Sequence, residues 1–119
     1  MTLGKKQELF ARLLPRLIDQ AHRLGYEVRI GEVYRSPEEA RRLAKAGKGI
    51  VHSNHTRKLA VDLFLSVVGV DGRKAVTWDC AYYDRLGEWW KKQHPLCRYG
   101  GDFRNRDCVH FSLEHRGIK

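Results

Sequence analysis

Long apolar segments are missing from this chain of 119 residues, and no stretch approaches the roughly 20 residues that a membrane-spanning helix requires. The N-terminal segment 5–14 is amphipathic and lacks the unbroken apolar centre of a secretory signal. We therefore expect no membrane insertion and no export signal. Repeats, linkers and low-complexity stretches are also missing, so residues 1–119 are predicted to form one domain.

Cysteine is scarce: only Cys80, Cys97 and Cys108 occur, and no two of them form a Cys-x-x-Cys pair. An odd, widely spaced set argues against a disulfide framework and against a zinc ribbon. The three cysteines are therefore predicted to be reduced and to serve mainly as packing residues.

Acidic residues are outnumbered, with 14 Asp and Glu against 23 Lys and Arg, and the formal net charge is +9. Such a charge favours encounter with polyanions, either nucleic acid or an anionic cell envelope. The basic residues are scattered and form no dense tract, which is typical of a solvated surface. A basic nucleic-acid-binding module with structural histidines and acids remains the alternative from another functional class.

The periodicity of apolar residues predicts alternating helices and strands. Residues 9–24 show helical spacing, with Pro15 either kinking the helix or marking its start, and residues 26–33 alternate as a half-buried strand. Ser36, Pro37 and Glu39 predict the capped start of a helix that reaches about residue 46. Further along, the pattern predicts a strand over 60–65, a hairpin over 67–76, a helix over 80–93 and a final strand over 109–113.

Two distant segments each combine an imidazole with a carboxylate. His55 and Asp62 bracket one short segment, and Asp107 and His110 lie just before and within the predicted closing strand. Three ligands of the His/Asp/His type suit a catalytic zinc, which keeps a further coordination position for water. These four groups indicate a metal-dependent hydrolase.

Strand geometry limits how these residues share a site. Residues three apart in a regular strand point to opposite faces, so Asp107 is expected in the turn before the strand that carries His110. If it is not, Cys108 becomes the residue on the face of His110, and a His/Asp/Cys set is the competitor. His52 is likewise an alternative ligand to His55.

Two motifs stand out: Ser53-x-His55-x-x-x-x-Ala60-x-Asp62, preceded by Tyr34-Arg35-Ser36, and Asp107-x-x-His110-Phe111, preceded by Gly100-Gly101-Asp102-Phe103. Together they resemble the motifs of the zinc D-Ala-D-Ala carboxypeptidase and dipeptidase family, which also includes the L-alanyl-D-glutamate endopeptidases of bacteriophage lysis. The similarity extends from about Tyr34 to Leu113.

The resemblance implies a role for each matching residue. It places the zinc ligands at His55, Asp62 and His110, and the catalytic acid at Asp107. It also places an arginine that faces the scissile carbonyl at Arg35 and a substrate-side serine near the metal at Ser53, whereas a salt bridge to Glu38 or Glu39 is the plainer interpretation of Arg35. One departure is Lys58, where members often carry glycine.

The resemblance predicts an α+β fold in which a small, mostly antiparallel sheet bears a Zn²⁺ site on one side and packs helices on the other. The aspartate-type base and the Gly-Gly-Asp-aromatic sequence favour the phage endolysin branch, a monomeric L-alanyl-D-glutamate endopeptidase acting on bacterial peptidoglycan. Cleavage at D-Ala-D-Ala is the close alternative. Such an enzyme is expected in the host cytoplasm until lysis and then at the cell wall, with no nucleic-acid partner.

Overall fold

The structure, a computed structural model, describes residues 1–119. Its elements follow the order α1 (Leu3–Arg23), β1 (Glu27–Ile30), α2 (Pro37–Lys45), β2 (Ala60–Val68), β3 (Lys74–Val76), α3 (Cys80–Lys91), β4 (Cys97–Tyr99) and β5 (His110–Leu113). Two short 3₁₀ turns, Asn54–Arg57 and Gly100–Asp102, precede β2 and β5 respectively. None of the helices combines the length and the apolar character needed to cross a membrane.

The five strands form one antiparallel sheet in the order β1-β2-β5-β4, and β3 pairs with the far end of β2. The predicted α+β class with a mostly antiparallel sheet is therefore confirmed. The predicted hairpin is confirmed as well, since Val68 pairs with Lys74 across a turn in which Gly72 takes a φ of 76°. Glycine enters this left-handed region without the Cβ clash that other residues meet.

Alternate residues of the central strand β2 point to the two faces of the sheet, one packed against helices and the other polar. Val61, Leu63 and Leu65 are fully buried, whereas Asp62 and Phe64 alternate with them and are half-buried. The core cluster on the Val61 face takes its helical members from α1 and α3: Phe10, Leu13, Leu17, Ala21, Tyr83, Leu86 and Trp90. The opposite face of the sheet is thus left for polar side chains.

Helix α1 begins well before Pro15, the position that one of the two predicted alternatives gave as its start. It starts at Leu3, where the Thr2 hydroxyl accepts a hydrogen bond of 3.2 Å from the Lys5 backbone N–H. The helix continues through Pro15, so the prediction that it begins near this proline is wrong. Pro15 lies on the exposed side of the helix, where water can satisfy the carbonyl that loses its partner. The core-facing stripe therefore remains unbroken.

Other boundaries differ by a few residues from the predicted ones. Ser36 caps α2 as predicted, and the Asp79 side chain caps α3 by accepting from the Ala81 backbone N–H. Strand β1 ends at Ile30, but the backbone of Asp62 still accepts from Gly31 N–H at 2.7 Å and donates to the Glu32 carbonyl at 2.9 Å. This irregular continuation brings Glu32 beside Asp62.

Candidate functional site

Two of the predicted ligands face each other across adjacent strands. Asp62 in β2 and His110 in β5 are direct cross-strand partners, so their side chains leave the sheet on the same face. That face is the polar one, opposite Val61 and Phe111 in the core. His110 is buried, whereas Asp62 keeps a fifth of its side-chain surface exposed.

The third predicted ligand, His55, lies in the 3₁₀ turn Asn54–Arg57 just before β2. The Ser53 hydroxyl caps this turn by accepting a hydrogen bond of 3.2 Å from the His55 backbone N–H. The His55 carbonyl accepts from the Arg35 backbone N–H at 3.1 Å, which ties the turn to the segment after β1. Both Ser53 and His55 are buried, so the turn holds the imidazole over the sheet face.

The three side chains converge closely enough to share one ion. Ligand atoms of His55, Asp62 and His110 all lie within 4.8 Å of one another. His55 Nε2 is 3.4 Å and His110 Nδ1 is 3.9 Å from Asp62 Oδ1. Tetrahedral zinc with bonds of about 2.0–2.1 Å would separate its ligand atoms by about 3.3 Å, so a small inward movement would complete the set.

The hydrogen bonding of this cluster also fits a metal ion. Buried polar atoms normally have a partner, yet Asp62 Oδ1, which faces both imidazoles, has none within hydrogen-bonding geometry. Burial, followed by the nearby His55, lowers the pKa of His110 to about 4. The His110 imidazole is therefore neutral at neutral pH, which is the form that binds metals.

Glu32, which the sequence reasoning overlooked, lies behind His55. Its Oε1 is 3.5 Å from His55 Nδ1, while the Nε2 of the same ring faces Asp62. His55 Nδ1 makes no hydrogen bond at this distance, but a carboxylate in this position is the kind of partner that fixes the tautomer and orientation of a metal-binding histidine. No sequence motif marks Glu32; its position follows from the irregular pairing between residues 31–32 and Asp62.

Arg35 lies at the site, but in an ion pair that neither sequence interpretation named. Its Nε and Nη2 groups contact Glu32 Oε1 at 2.8 and 2.7 Å, so the salt bridge is to Glu32 and not to Glu38 or Glu39. Only 13% of the side-chain surface is exposed. The remaining Nη1 group makes no protein hydrogen bond, and the residue lines the same pocket as the three candidate ligands.

Asp107 lies in the turn before β5, as the strand geometry predicted. Its carbonyl accepts a hydrogen bond of 3.1 Å from the His110 backbone N–H, so the reversal from Asp107 to His110 is short. The residue is exposed, but it lines the pocket. Partial desolvation, reinforced by the Asp62 carboxylate, raises the pKa of Asp107 above its usual value.

The Asp107 turn is held closely against Gly100. Gly100 carbonyl oxygen accepts the Asp107 backbone N–H at 2.9 Å. A Cβ at position 100 would lie 2.1 Å from the Asp107 carbonyl oxygen and 2.7 Å from His110 Cβ. Only glycine permits this approach, which explains one of the two glycines in the Gly100-Gly101 motif.

The same turn carries a disulfide, so the prediction of three reduced cysteines is wrong for two of them. Cys108 is bonded to Cys80 at the first position of α3, and only Cys97 is free and buried in the core. The pairing was hidden because it depends on β5 returning beside the start of α3. A sulfur in a disulfide offers no thiolate, so the His/Asp/Cys alternative loses its ligand.

The remaining alternative ligand, His52, is exposed and lies outside the cluster of candidate ligands. Its backbone carbonyl accepts a hydrogen bond of 2.9 Å from the Arg57 side chain.

Asn54, to which the sequence pattern gave no role, is a fully buried amide next to His55. Its Nδ2 group donates to the carbonyls of Leu113 at 2.9 Å and Ile118 at 2.8 Å. This amide fastens the His55 turn to the end of β5.

A cavity of about 310 Å³ opens over the candidate ligands. Its lining includes Arg35, Lys48 and Lys119, which give it a basic character. Phe103 covers one side, with its ring centroid 5.3 Å from that of His110. The cavity therefore combines the candidate metal ligands, one further acid and several cations, which suit an anionic ligand.

Comparisons with known proteins show similarity to a solved structure. No family model matches the chain, and no curated protein matches it either. Among solved structures, the L-Ala D-Glu endopeptidase ChiX of Serratia marcescens is similar with a TM-score of 0.67 and 26% sequence identity. The match covers 87% of this chain and 79% of that chain, so both share one fold over most of their length.

Proposed function

We propose that this protein is a zinc metallopeptidase that hydrolyses the bond between L-alanine and D-glutamate in the stem peptide of peptidoglycan. The observation that carries the proposal is the convergence of His55, Asp62 and His110 within 4.8 Å, with Asp107 on the wall of the same cavity. The fold shared with an L-Ala D-Glu endopeptidase supports the choice of substrate and bond.

His55, Asp62 and His110 would hold the zinc ion. Two neutral imidazoles and one carboxylate would leave a divalent ion with a net positive charge. When bound, zinc supplies a Lewis acid that polarises a carbonyl and acidifies water. Glu32, 3.5 Å from His55 Nδ1, would orient the His55 ring for this role, and the buried position of His110 keeps its imidazole neutral.

Asp107 is the general base in this proposal. Its carboxylate accepts a proton from the attacking water and returns it to the leaving amine, a function typically worth about 100- to 10,000-fold in rate. The raised pKa of Asp107 brings its proton affinity closer to that needed for both steps. The short turn to His110 holds the carboxylate beside the ligand set.

Arg35 stabilises the negative charge that develops on the carbonyl oxygen during attack. Its Nε and Nη2 groups are held by Glu32, which fixes the plane of the guanidinium, while Nη1 stays free to donate. A preorganised donor of this kind is worth about 3 kcal/mol in comparable sites. Ser53 contributes by capping the His55 turn at the edge of the cavity.

The decisive experiment is hydrolysis of purified peptidoglycan with mass analysis of the products. Activity should disappear on chelation and return with zinc, and the new termini should be alanine and glutamate. Termini at D-alanine would instead assign the enzyme to carboxypeptidase chemistry. Nucleic-acid binding that survives chelation, without any peptidoglycan cleavage, would favour the basic binding module.

Asp107→Asn tests the base separately from the metal. The variant should keep its zinc content and lose at least about 100-fold in turnover, because the amide cannot accept the proton. Asp102→Asn is the matched control, since Asp102 belongs to the same loop but pairs with Lys91 at 2.7 Å on the surface. Full activity of Asp107→Asn would remove this residue from the mechanism.

We also propose bacteriophage lysis as the biological setting. The aspartate base and the Gly100-Gly101-Asp102-Phe103 sequence support this branch of the resembled family. The disulfide between Cys80 and Cys108 is of a kind that persists in oxidising compartments, which suits action on the wall side of the membrane. Expression inside bacteria should cause lysis only after the inner membrane is permeabilised, whereas lysis without that treatment would contradict the setting.

A further inference from the structure

An exposed aromatic pair lies on the face of the sheet that carries the candidate metal ligands. Trp78 is 70% exposed, and its ring meets the half-buried ring of Phe64 at a centroid distance of 5.6 Å and an angle of 67°. Tryptophan is normally well buried, so an indole left open to solvent beside a second aromatic ring is suited to contact a ligand. Neither residue has a part in the hydrolytic mechanism.

The pairing of the strands places this aromatic pair directly beside the metal site. Phe64 follows Asp62 by two residues in β2 and therefore points to the same face. Ser66 pairs with Val76, and Thr77 N–H donates to the Leu65 carbonyl at 2.9 Å. Continued for one more residue, this register places Trp78 opposite Phe64.

The polar face consequently carries two successive cross-strand rows. The first row is Asp62 with His110, and the second is Phe64 with Trp78. Two residues along a strand span about 6.5–7 Å, so the aromatic row begins about that distance from the ligand row. Arg29, which pairs with Phe64 from β1, extends the second row with an exposed guanidinium.

We propose that Phe64 and Trp78 form a carbohydrate-stacking subsite that binds the muramyl sugar of the substrate. This inference rests on the proposed function. In peptidoglycan, L-alanine is attached through its nitrogen to the lactyl group of this sugar. The scissile carbonyl of L-alanine is thus separated from the sugar ring by about two residue lengths of chain, or about 7 Å.

The chemical groups of the sugar are complementary to the row formed by Phe64, Trp78 and Arg29. A pyranose ring presents C–H groups on its faces, and these are attracted to the negative face of an aromatic ring. Its hydroxyl and acetyl groups remain at the rim, where the Arg29 guanidinium can donate hydrogen bonds. The occupant is therefore the sugar end of the substrate, and the basic cavity on the other side of the ligands takes the anionic peptide end.

The test compares Trp78→Ala with the parent on two substrates: a disaccharide bearing the stem peptide, and the same stem peptide without sugar. We expect kcat/KM to fall about tenfold on the sugar-bearing substrate, equivalent to about 1.4 kcal/mol, and to stay unchanged on the free peptide. Trp78→Phe should recover most of the loss. Equal losses on both substrates, or no loss on either, would overturn the subsite.

Val68→Ala is the matched control, because Val68 is also exposed and lies on the same face of β2, two rows beyond Phe64. It should leave both activities unchanged. A binding measurement separates this proposal from the proposed function: the disaccharide alone should quench tryptophan fluorescence in the parent and not in Trp78→Ala. If the parent cleaves neither substrate but the disaccharide still quenches the parent and not Trp78→Ala, the hydrolytic assignment fails and the sugar subsite stands. If the disaccharide quenches Trp78→Ala as it does the parent, the subsite fails.

Discussion

Removing the disulfide between Cys80 and Cys108 should weaken the protein by an amount that follows from the separation of the two residues in the chain. The bond joins positions 28 residues apart, and it links the start of α3 to the residue next to Asp107. Closing a loop of that length restricts the unfolded chain by an entropy equivalent to about 3.6 kcal/mol at 25 °C. Reduction should therefore lower the free energy of unfolding by about 3–4 kcal/mol.

Urea unfolding with and without reductant measures this change. With an m-value of about 1.5–2 kcal/mol/M, the midpoint should fall by about 2 M. The double variant Cys80→Ser with Cys108→Ser should match the reduced parent and should not respond to reductant, which controls for effects at Cys97. Three free thiols in the untreated protein, or an unchanged midpoint on reduction, would refute the reasoning.

Three further predictions concern the neighbourhood of the site. Gly100→Ala should lower zinc content and destabilise the fold by about 1–3 kcal/mol, because the new Cβ would lie 2.1 Å from the Asp107 carbonyl oxygen. Gly4→Ala is the control, since Gly4 lies in open space within α1, and thermal unfolding should show it to be neutral or stabilising. Lys58→Gly should raise the stability by about 0.5–1 kcal/mol, since Lys58 holds a left-handed φ of 57°; a lower melting temperature would show that its ammonium over the Tyr34 ring contributes more. In the metal-free protein, burial lowers the pKa of His110 from 6.5 to about 4, so stability present above pH 6.5 should fall by about 3 kcal/mol as the pH approaches 4, and His110→Gln should flatten that slope in urea unfolding.

Local sequence patterns predicted much of this fold because they reflect local physics. Ser36 caps its helix wherever that helix packs, and Asp71-Gly72 turns the chain through the conformational freedom of glycine. The position of Asp107 before the strand followed from the two-residue period of β-structure. The departure at Lys58 also had a physical meaning, because this residue adopts the left-handed conformation that glycine takes without strain.

The features that escaped prediction depend on contacts between distant segments. Glu32 approaches His55 only because the chain after β1 stays bonded to the backbone of Asp62. Cys80 meets Cys108 only when β5 returns beside the start of α3. The exposure of Trp78 is likewise set by which side of the sheet the helices cover. Zinc as the bound ion and the role of each site residue stay predictions.

The two faces of β2 should respond differently to systematic mutation. Positions 61, 63 and 65 lie in the core, so substitutions there would mainly reduce the amount of folded protein. Positions 62 and 64 belong to the candidate ligand row and to the proposed aromatic row, so we predict that substitutions there mainly change activity at normal protein abundance. A saturation library sorted separately for abundance and for wall lysis would then show an alternating tolerance along a single strand, and the enzyme could diversify its specificity without remodelling its interior.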